Sequence, residues 1–357
     1  MTTRQIPGFT IHIGSTKPRQ YPPPGVMAMT SSPSVPRLEP HLRFPSKRPT
    51  RKFNFVDYTP IKQLGSGSQG AIYRMHDNVT GKEVVIKRIM KKRDPSNPEK
   101  IANQWSIINE VEALSAVETI CADQNQPQHA LCWSHFGDAP KVFTIVMEYL
   151  DGYQNISELI AQREQWSDDL VFQMIDQMIQ GLIQIHQVDV AHRDIKYDNI
   201  MIRLHPLNVK YIDFGYACYR TGCQDHRTCG TLTYSAPEIT DTSHPPNSMQ
   251  EWLAADIWSL GIVFLNLIAG LTDDRTFLDL MAHLDNPQKY VYRLATIDQY
   301  NNFVTHLKQT GWTSTHLNGY DQYCREHHVG SRLLAYAHQV VIPRMVNIDP
   351  SHRQLKT

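Results

Sequence analysis

Cysteine is scarce in this sequence, with six residues scattered over 357 positions. This spacing does not resemble the dense disulfide framework of a small secreted domain, so we expect reduced thiols and an intracellular location, cytoplasmic or nuclear. No basic region followed by an apolar one opens the chain, so no signal peptide is predicted. The longest apolar run, Trp258–Leu271, is shorter than the about 20 residues that span a bilayer, so we expect no membrane partner.

An excess of charge is also missing, because 35 basic residues balance 35 acidic ones. Overall charge therefore gives no reason to expect binding to nucleic acid or to an anionic membrane. With 357 residues, the chain is long enough for one large two-lobed unit or for two domains.

Residues 1–52 are rich in proline and lack hydrophobic periodicity. Such a segment cannot bury enough apolar surface to offset the entropy of ordering, so we predict a disordered or polyproline-like tail. Six basic residues stand beside a single acid between Arg37 and Lys52, which favours a solvated basic tail. A localisation signal, a docking motif for a partner protein and a polyanion contact are the alternatives.

The next part of the chain, to about residue 150, reads as a small sheet with one principal helix. Strands are predicted at Tyr58–Leu64, Ala71–Met75, Glu83–Ile89 and Val142–Tyr149, with turn residues between the first three. A helix that begins at Pro98 separates the third strand from the fourth.

From Ser167 onwards the pattern becomes helical. Ser167 suits an N-cap, and apolar residues follow it at helical spacing from Val171 to Ile185. A second helix is predicted around Trp258–Leu271, and residues 272–340 show weaker helical patterning. The predicted fold class is therefore α+β, with the strands concentrated in the first half.

Four short motifs follow one another in the second half. They are His192-Arg-Asp-Ile-Lys-Tyr-Asp-Asn199, Tyr211-Ile-Asp-Phe-Gly215, Ala236-Pro-Glu238 and Asn347-Ile-Asp-Pro-Ser-His-Arg353. In this order they resemble the catalytic loop, the metal-binding motif and the closing elements of the eukaryotic-type protein kinase family, in a divergent, serine/threonine-specific form. Residues 272–346 match loosely, which suggests a lineage outside the common kinase groups; a viral source is one hypothesis.

The resemblance implies a bilobal protein kinase fold over residues 53–357. The small β-rich N-lobe would occupy about 53–150 and the larger helical C-lobe about 151–357. ATP and Mg²⁺ are the implied cofactors, and a protein with a serine or threonine hydroxyl is the implied substrate.

A glycine-rich stretch between two predicted strands, Gly65-Ser-Gly-Ser-Gln-Gly70, marks the expected nucleotide site. Glycines there let backbone N–H groups approach phosphates, although a plain hairpin turn would use similar residues. A dinucleotide-binding motif is excluded because a strand, not a helix, follows. By resemblance, the nucleotide-binding set comprises Leu64, Gly65, Ser66, Gly67, Ser68, Gln69, Gly70, Ile72, Lys87, Glu110, Glu148, Leu150 and Met201.

Lys87 stands where the family places the lysine that holds the α- and β-phosphates. Glu110 is its expected partner, rather than Glu112, because Leu114 follows it by four residues as in the family. Val85 stands where the family usually has alanine and would narrow the adenine slot. Further along, Met147 matches the gatekeeper, and Glu148 and Leu150 would offer backbone groups to the adenine edge.

Within the His-Arg-Asp motif, the resemblance assigns separate roles. Asp194 would orient the acceptor hydroxyl and take its proton, while Lys196 would neutralise charge on the moving phosphoryl group. Asn199 and Asp213 would hold Mg²⁺, which suits few carboxylates plus substrate oxygens.

The segment from Asp213 to Glu238 matches the family's activation segment. Arg193, before the catalytic aspartate, marks kinases whose segment can be ordered by phosphate. The usual phosphorylation position falls on Arg227, however, with Thr228 one residue late and Thr221 further upstream. Whether phosphate regulates this chain is therefore open.

The resemblance also implies three supporting contacts. Thr231 would contact Asp194 and Lys196, Glu238 would pair with Arg353, and Asp256 would hold the catalytic loop. A zinc site built from Cys218, Cys223, His226 and Cys229 is a weaker alternative for this region, since no paired Cys-x-x-Cys spacing is present.

The predicted function is ATP-dependent protein serine/threonine kinase activity with Asp194 as the base. A pseudokinase scaffold that binds nucleotide without turnover is the first alternative, kept open by Val85. A small-molecule phosphotransferase with a related core is the second, and Ala236-Pro-Glu238, Thr231 and Arg353 argue against it.

Overall fold

The computed structural model describes residues 51–67, 70–91, 98–123, 125–220, 230–240, 246–289, 294 and 296–355, all within one compact unit, His41–Thr357. The tail prediction for residues 1–50 falls outside these ranges. So do Ser68 and Gln69 of the glycine-rich stretch, and the segment residues Thr221, Cys223, His226, Arg227, Thr228 and Cys229.

The N-lobe is a sheet of five strands, β1 Tyr58–Gly67, β2 Gly70–Asp77, β3 Glu83–Met90, β4 Trp133–Asp138 and β5 Val142–Glu148. The strands are antiparallel and lie in the order β1-β2-β3-β5-β4. The four strands predicted from sequence are present, each with slightly different ends, whereas β4 was not predicted. Its Ser, His and Gly residues hide the alternation that a half-buried strand normally shows.

The residues just before β1 cover the outer face of this sheet. The Phe53 ring stacks on Tyr58 at 5.5 Å between centroids, and it fills the space that a side chain at Gly137 would need. Arg51 forms ion pairs with Asp57 at 2.7 Å and Asp77 at 2.8 Å. Arg51 therefore belongs to the folded part, two residues before the predicted boundary at Phe53.

The helix predicted from Pro98 is present as α1, Pro98–Ala122. Val111 and Leu114 point into the main hydrophobic core beneath the sheet. At the end of the helix, Cys121 forms a disulfide with Cys132.

The prediction of reduced thiols was wrong, because Cys121–Cys132 is a disulfide and Cys218 is also disulfide-bonded. Sequence spacing did not predict the Cys121–Cys132 bond. The two cysteines are 11 positions apart and meet only because helix α1 ends beside the start of strand β4. Disulfides are rare in the cytosol, so the thiol argument for an intracellular location no longer holds. Cys324, by contrast, is a free thiol buried in the C-lobe.

Two helices form the centre of the C-lobe. In α3, Asp168–Gln187, the Ser167 hydroxyl accepts the Leu170 N–H as the sequence predicted, and the apolar face is buried. In α4, Met249–Ala269, the Ser248–Glu251 capping box closes the first turn. Nearly all of the second half of α4 is buried, so this helix is the core around which the other C-lobe helices pack.

Helix α4 begins at Met249, well before the predicted start at Trp258. Within the described ranges it is the one helix long and apolar enough to cross a membrane by length and composition. Of its most apolar stretch, 83% is buried inside the fold. The core helix of a soluble protein can have the same length and apolar composition as a membrane span, so length and composition are weak evidence that α4 crosses a membrane.

The described residues between 272 and 340, weakly patterned in sequence, fold into short helices around α4. Tyr300 anchors one of them, because its hydroxyl donates to the Ser235 carbonyl at 2.5 Å. The remaining helices are α2 Ile156–Leu159, α5 Phe277–Asp285, α6 Ile297–Thr310, α7 Ser314–Glu326 and α8 Ser331–Tyr336, continued by a π-helical stretch Ala337–Met345. The short C-lobe strands are β6 Gln154–Asn155, β7 Val190–Ala191, β8 Ile200–Leu204, β9 Leu207–Tyr211 and β10 Cys218–Tyr219.

Candidate active site

The loop between β7 and β8 carries the His-Arg-Asp motif and is held from below by α4. The buried Asp256 carboxylate accepts the backbone N–H of His192 at 2.7 Å and that of Arg193 at 2.8 Å. Arg193 has φ +65°, a left-handed conformation that costs a non-glycine residue energy and persists only where the surroundings fix it. Asp256 supplies part of that constraint.

Asp194 lies at the centre of a compact polar cluster. One carboxylate oxygen accepts the Thr231 hydroxyl at 3.0 Å, and the other lies 3.0 Å from the Lys196 ammonium and 2.9 Å from the Asn199 amide nitrogen. Lys196 also donates to the Thr231 hydroxyl at 2.9 Å. The contacts that the resemblance implied for Thr231 are therefore present, and Asp194 is fixed from three sides.

A second cluster joins the N-lobe sheet to α1 and to the Asp-Phe-Gly motif. The Lys87 ammonium lies 2.6 Å from Glu110 and 2.9 Å from Asp213. Burial opposes the charge on Lys87, but the two carboxylates outweigh it, so the pKa of Lys87 is raised above its usual value. The choice of Glu110 over Glu112 agrees with this geometry.

Asp213 adopts a left-handed backbone conformation, φ 60° and ψ 74°. Burial would raise the pKa of its carboxyl, but Lys87 and, further off, His192 and Lys196 outweigh burial and lower it. Asp213 is therefore a carboxylate across the neutral pH range. Such an ionised oxygen donor is what a Mg²⁺ ion requires.

Asn199 and Asp213 fit a shared cation. The Asn199 amide nitrogen donates to both the backbone carbonyl and the carboxylate of Asp194 at 2.8 and 2.9 Å, so its amide oxygen is the atom left to face a cation. The Ile212 N–H donates to the Asn199 carbonyl at 3.0 Å, which brings Asp213 beside Asn199. One amide oxygen and one carboxylate leave coordination positions for phosphate oxygens and water.

The described residues of the glycine-rich stretch lie at the facing ends of β1 and β2. Gly65 pairs with Ile72 across the hairpin, and the space where its side chain would stand is open. Gly70 has φ +134°, and a Cβ there would come within 2.4 Å of the Arg88 carbonyl. Only glycine fits that position without displacing β3. The residues Leu64, Ser66 and Gly67 lie on the same hairpin.

The predicted adenine-edge residues lie at the end of β5, where Glu148 is the last residue, and just after it, at Leu150. Val85 pairs with the buried Met147, and Val84 pairs with Glu148, so the residues predicted to narrow the adenine slot and to act as gatekeeper lie side by side. Leu150 packs against the main core, and Met201 lies on β8 opposite Asn155.

The Glu148 side chain has a structural role that sequence reasoning missed. Its carboxylate accepts the Cys132 N–H at 2.8 Å and the Lys210 ammonium at 2.5 Å. This role could not be predicted because Cys132 and Lys210 are distant from Glu148 in sequence and belong to no motif.

The segment that follows the Asp-Phe-Gly motif is fastened at its far end. Arg353 makes a two-pronged ion pair with Glu238 at 2.5 and 2.9 Å, as the resemblance implied. The Tyr234 hydroxyl donates to Asp273 at 2.6 Å. Asp273 was not predicted, because it lies in the weakly patterned region.

The proposed zinc alternative is not supported at Cys218, whose sulfur is in a disulfide. Across the described part of the chain, no group of three or more His, Cys, Asp or Glu residues is arranged to hold a metal ion.

A sheet-rich lobe with a lysine–glutamate pair, joined to a helical lobe with a His-Arg-Asp loop and an Asp-Phe-Gly motif, defines the protein kinases as a class. The family model of the protein kinase domain matches residues 58–353, so this chain belongs to the protein kinase domain family. Members of this family generally use ATP and Mg²⁺.

Among curated proteins, the chain is similar to several serine/threonine-protein kinases. It is 27% identical over 243 residues to serine/threonine-protein kinase 33 of Mus musculus, covering 65% of this chain and 45% of that protein. It is 29% identical over 238 residues to serine/threonine-protein kinase sid1 of Schizosaccharomyces pombe, covering 66% and 46%. It is 26% identical over 267 residues to an Aurora kinase of Yarrowia lipolytica, covering 73% and 66%. The matched part thus spans about half to two thirds of each relative.

With identities below 30% to these relatives, the chain is a divergent member of the protein kinase domain family.

Proposed function

We propose that this chain transfers the γ-phosphoryl group of ATP to serine or threonine hydroxyls of proteins, with Asp194 as the base. The observation that carries the proposal is the cluster around Asp194, in which Thr231, Lys196 and Asn199 all lie within 3.0 Å of its carboxylate. A carboxylate fixed in this way can orient an acceptor hydroxyl and accept its proton without reorganising.

The other residues would supply binding and charge. Lys87, fixed between Glu110 and Asp213, holds its ammonium in a buried position where it can bind the α- and β-phosphates. Lys196 can neutralise developing charge on the transferred group. A Mg²⁺ ion held by Asn199 and Asp213 would neutralise phosphate oxygens when bound.

A protein substrate is favoured over a small molecule by the ordered segment end. Thr231 contacts the catalytic cluster, and Glu238 fastens the segment to Arg353. Between them lies a stretch of backbone supported by Tyr300 through Ser235, which can serve as a surface for an extended peptide.

The test is Asp194→Asn, an exchange that keeps the shape of the side chain and removes its charge. Purified protein with labelled ATP, Mg²⁺ and a mixed protein substrate should lose at least about 10²-fold in initial rate. Asp189→Asn is the matched control, because Asp189 is an exposed aspartate just before the same loop and should keep the wild-type rate.

Equal rates for Asp194→Asn and wild type would refute the assignment of the base. Nucleotide binding without turnover by the wild type would favour the pseudokinase alternative. Labelling of small molecules but not of protein would favour a small-molecule phosphotransferase.

A further inference from the structure

The Cys121–Cys132 disulfide joins two parts of the molecule that are held in different ways. Cys121 lies in the last turn of α1, and Cys132 directly precedes β4. Both residues are half-buried, so a small thiol reagent can reach the bond. The thiol of Cys324, by contrast, is buried.

The stretch that ends at Cys132 is attached to the C-lobe. The Leu131 N–H donates to the Tyr211 carbonyl at 2.9 Å, and the Tyr211 N–H donates to the His129 carbonyl at 2.8 Å. The His129 N–H donates to the side chain of Gln184 on α3 at 3.3 Å. These bonds do not involve a cysteine side chain, so the stretch keeps its place on β9 and α3 whether the disulfide is intact or reduced.

The predicted adenine edge is fixed to the same part of the C-lobe. The Glu148 N–H donates to the Cys132 carbonyl at 2.9 Å. The Glu148 carboxylate accepts the Cys132 N–H and the ammonium of Lys210 on β9. Because these contacts also need no disulfide, the residues that would bind adenine stay in place when the bond is reduced.

Helix α1, on the other side of the disulfide, carries the partner of the phosphate-binding lysine. Glu110 lies 2.6 Å from the Lys87 ammonium and precedes Cys121 by about three helical turns. A helix of this length moves as one rigid element. The position of Cys121 therefore affects how well Glu110 faces Lys87.

The other polar contacts near the end of α1 are single hydrogen bonds. The Gln128 amide donates to the Cys121 carbonyl at 2.9 Å, and the Trp133 indole N–H donates to the Leu114 carbonyl at 2.8 Å. The disulfide adds a covalent limit, with the two Cα atoms 5.8 Å apart. Its reduction lets the end of α1 shift against the C-lobe by local opening, while the adenine edge stays fixed.

We propose that the Cys121–Cys132 disulfide is a redox switch on phosphate binding. The oxidised protein holds α1 where Glu110 supports Lys87, and the reduced protein binds the triphosphate of ATP less tightly. This inference rests on the proposed function and adds a mode of regulation to it.

The switch operates by thiol–disulfide exchange with a dithiol. One thiolate of the dithiol attacks a sulfur of the Cys121–Cys132 bond, and the second thiol then displaces the protein from the mixed disulfide. Two electrons and two protons pass to the protein, which gains two thiols, and the dithiol leaves as a cyclic disulfide. Glutathione disulfide reverses the reaction by the same exchange and is released as two glutathione thiols.

The first experiment compares two probes on the full-length protein. Calorimetry gives Kd for a non-hydrolysable ATP analogue with Mg²⁺ and for adenosine, after treatment with glutathione disulfide or with dithiothreitol. Reduction lowers the fraction of molecules in which Glu110 supports Lys87, so Kd for the analogue should rise by about fivefold or more. Kd for adenosine, which has no phosphate, should stay within about twofold.

The double variant Cys121→Ser/Cys132→Ser isolates this bond, because dithiothreitol also reduces the disulfide at Cys218. Under oxidising conditions the variant should bind the analogue as weakly as the reduced wild type does. Binding as tight as that of the oxidised wild type would overturn the inference. An equal loss of affinity for adenosine would also overturn it, since the whole site would then have loosened.

Glu110→Gln tests the route through α1. If the disulfide acts by holding Glu110 against Lys87, Kd of this variant for the analogue should differ by no more than about twofold between the oxidised and reduced forms. Glu112→Gln, a matched change on the same helix, should keep the redox effect of the wild type. An undiminished effect in Glu110→Gln would contradict the proposed route.

Failure of this inference and failure of the proposed function give different results. Equal affinity of the oxidised and reduced wild type for the analogue would overturn the redox switch alone. A wild type that binds the analogue in neither form would refute the proposed function. Thermal unfolding shows whether each sample is folded at the assay temperature; if the serine variant is not, the wild type and Glu110→Gln decide the question.

Discussion

At the scale of single residues, Lys87 is where the two lobes meet. One ammonium contacts Glu110 of α1 and Asp213 of the C-lobe at 2.6 and 2.9 Å. Lys87 and Glu110 are buried, so neither can lose its partner without leaving a buried charge uncompensated, whereas Asp213 is half-buried.

Lys87→Met tests this dependence. Removing the ammonium leaves Glu110 buried without a counter-charge, so the free energy of unfolding should fall by roughly 3 kcal/mol. The rate of phosphoryl transfer should fall by about 10²-fold or more. Urea unfolding and initial rates measure the two effects.

Adding Glu110→Gln to Lys87→Met should restore stability but not activity. If the double variant is no more stable than the single one, an unpaired Glu110 is not the cause. Lys62→Met, at an exposed lysine of the same sheet, should change stability by no more than about 0.5 kcal/mol.

Asp77 gives the fold a specific sensitivity to acid. Burial would raise the pKa of its carboxyl, but hydrogen bonds from Arg51 and from the Val79 and Thr80 N–H groups lower it to about 2. A lowered pKa means that the unfolded chain takes up the proton first, so the stabilisation is complete above about pH 4 and is lost as the pH falls towards about 2.

Asp77→Asn should therefore flatten the acid side of the stability curve. Between about pH 5 and about pH 3, the melting temperature of the wild type should fall more steeply than that of the variant. Asp138→Asn, at an exposed aspartate of the same lobe, is the matched control. Parallel curves for wild type and Asp77→Asn would contradict the prediction.

At the scale of elements, helix α1 is attached to its surroundings at several heights. The Ser106 hydroxyl donates to the Gly215 carbonyl at 3.0 Å, and the Trp133 indole N–H donates to the Leu114 carbonyl at 2.8 Å. Lys87 holds its middle and the Cys121–Cys132 disulfide holds its end. The helix that carries Glu110 is therefore tied to the Asp-Phe-Gly motif, to β3 and to β4.

Removing the disulfide should loosen the end of α1. The double variant Cys121→Ser/Cys132→Ser should lose about 2–3 kcal/mol of unfolding free energy under oxidising conditions, the amount expected for closing a short loop. In a strong dithiol reductant, wild type and variant should unfold at the same urea concentration. A difference that persists in reductant would show that serine itself, and not the lost bond, is responsible.

At the scale of the whole molecule, the C-lobe is closed by an ion pair between residues 115 positions apart, Glu238 and Arg353. The Arg353 guanidinium also lies 5.0 Å from the Trp258 ring of α4. The activation segment, the central helix and the end of the domain thus meet at one cation.

Glu238→Gln should weaken this junction. Because the buried Arg353 loses its counter-charge, the free energy of unfolding should fall by roughly 3 kcal/mol. KM for a protein substrate should rise more than KM for ATP, since the proposed function makes the segment the surface for the protein substrate. Glu326→Gln, on the exposed side of α7, should change neither. A larger effect on KM for ATP than on that for protein would contradict the assigned role.

A feature of this molecule could be predicted from sequence when the residues that produce it are close neighbours in the chain. The contacts of Lys87 with Glu110 and of Asp194 with Thr231 could be predicted from sequence because these residues lie in short motifs with fixed neighbours. The N-cap at Ser167 was found for the same reason.

What could not be predicted depends on contacts between distant parts of the chain. Strand β4 lacks alternation, and the Cys121–Cys132 bond follows from where a helix ends. Trp252 looks like an ordinary core residue until α4 brings its ring under Arg193. Such pairings arise only when the whole C-lobe assembles.

The buried thiol of Cys324 can report how often the C-lobe opens locally. Burial raises its pKa to about 12, so in the closed protein it is neither accessible nor ionised. An alkylating reagent can therefore react only when local unfolding exposes Cys324, which lies on helix α7. Peptide mass shows that the label is on Cys324. The rate at which it accumulates there therefore reports how often the C-lobe unfolds locally.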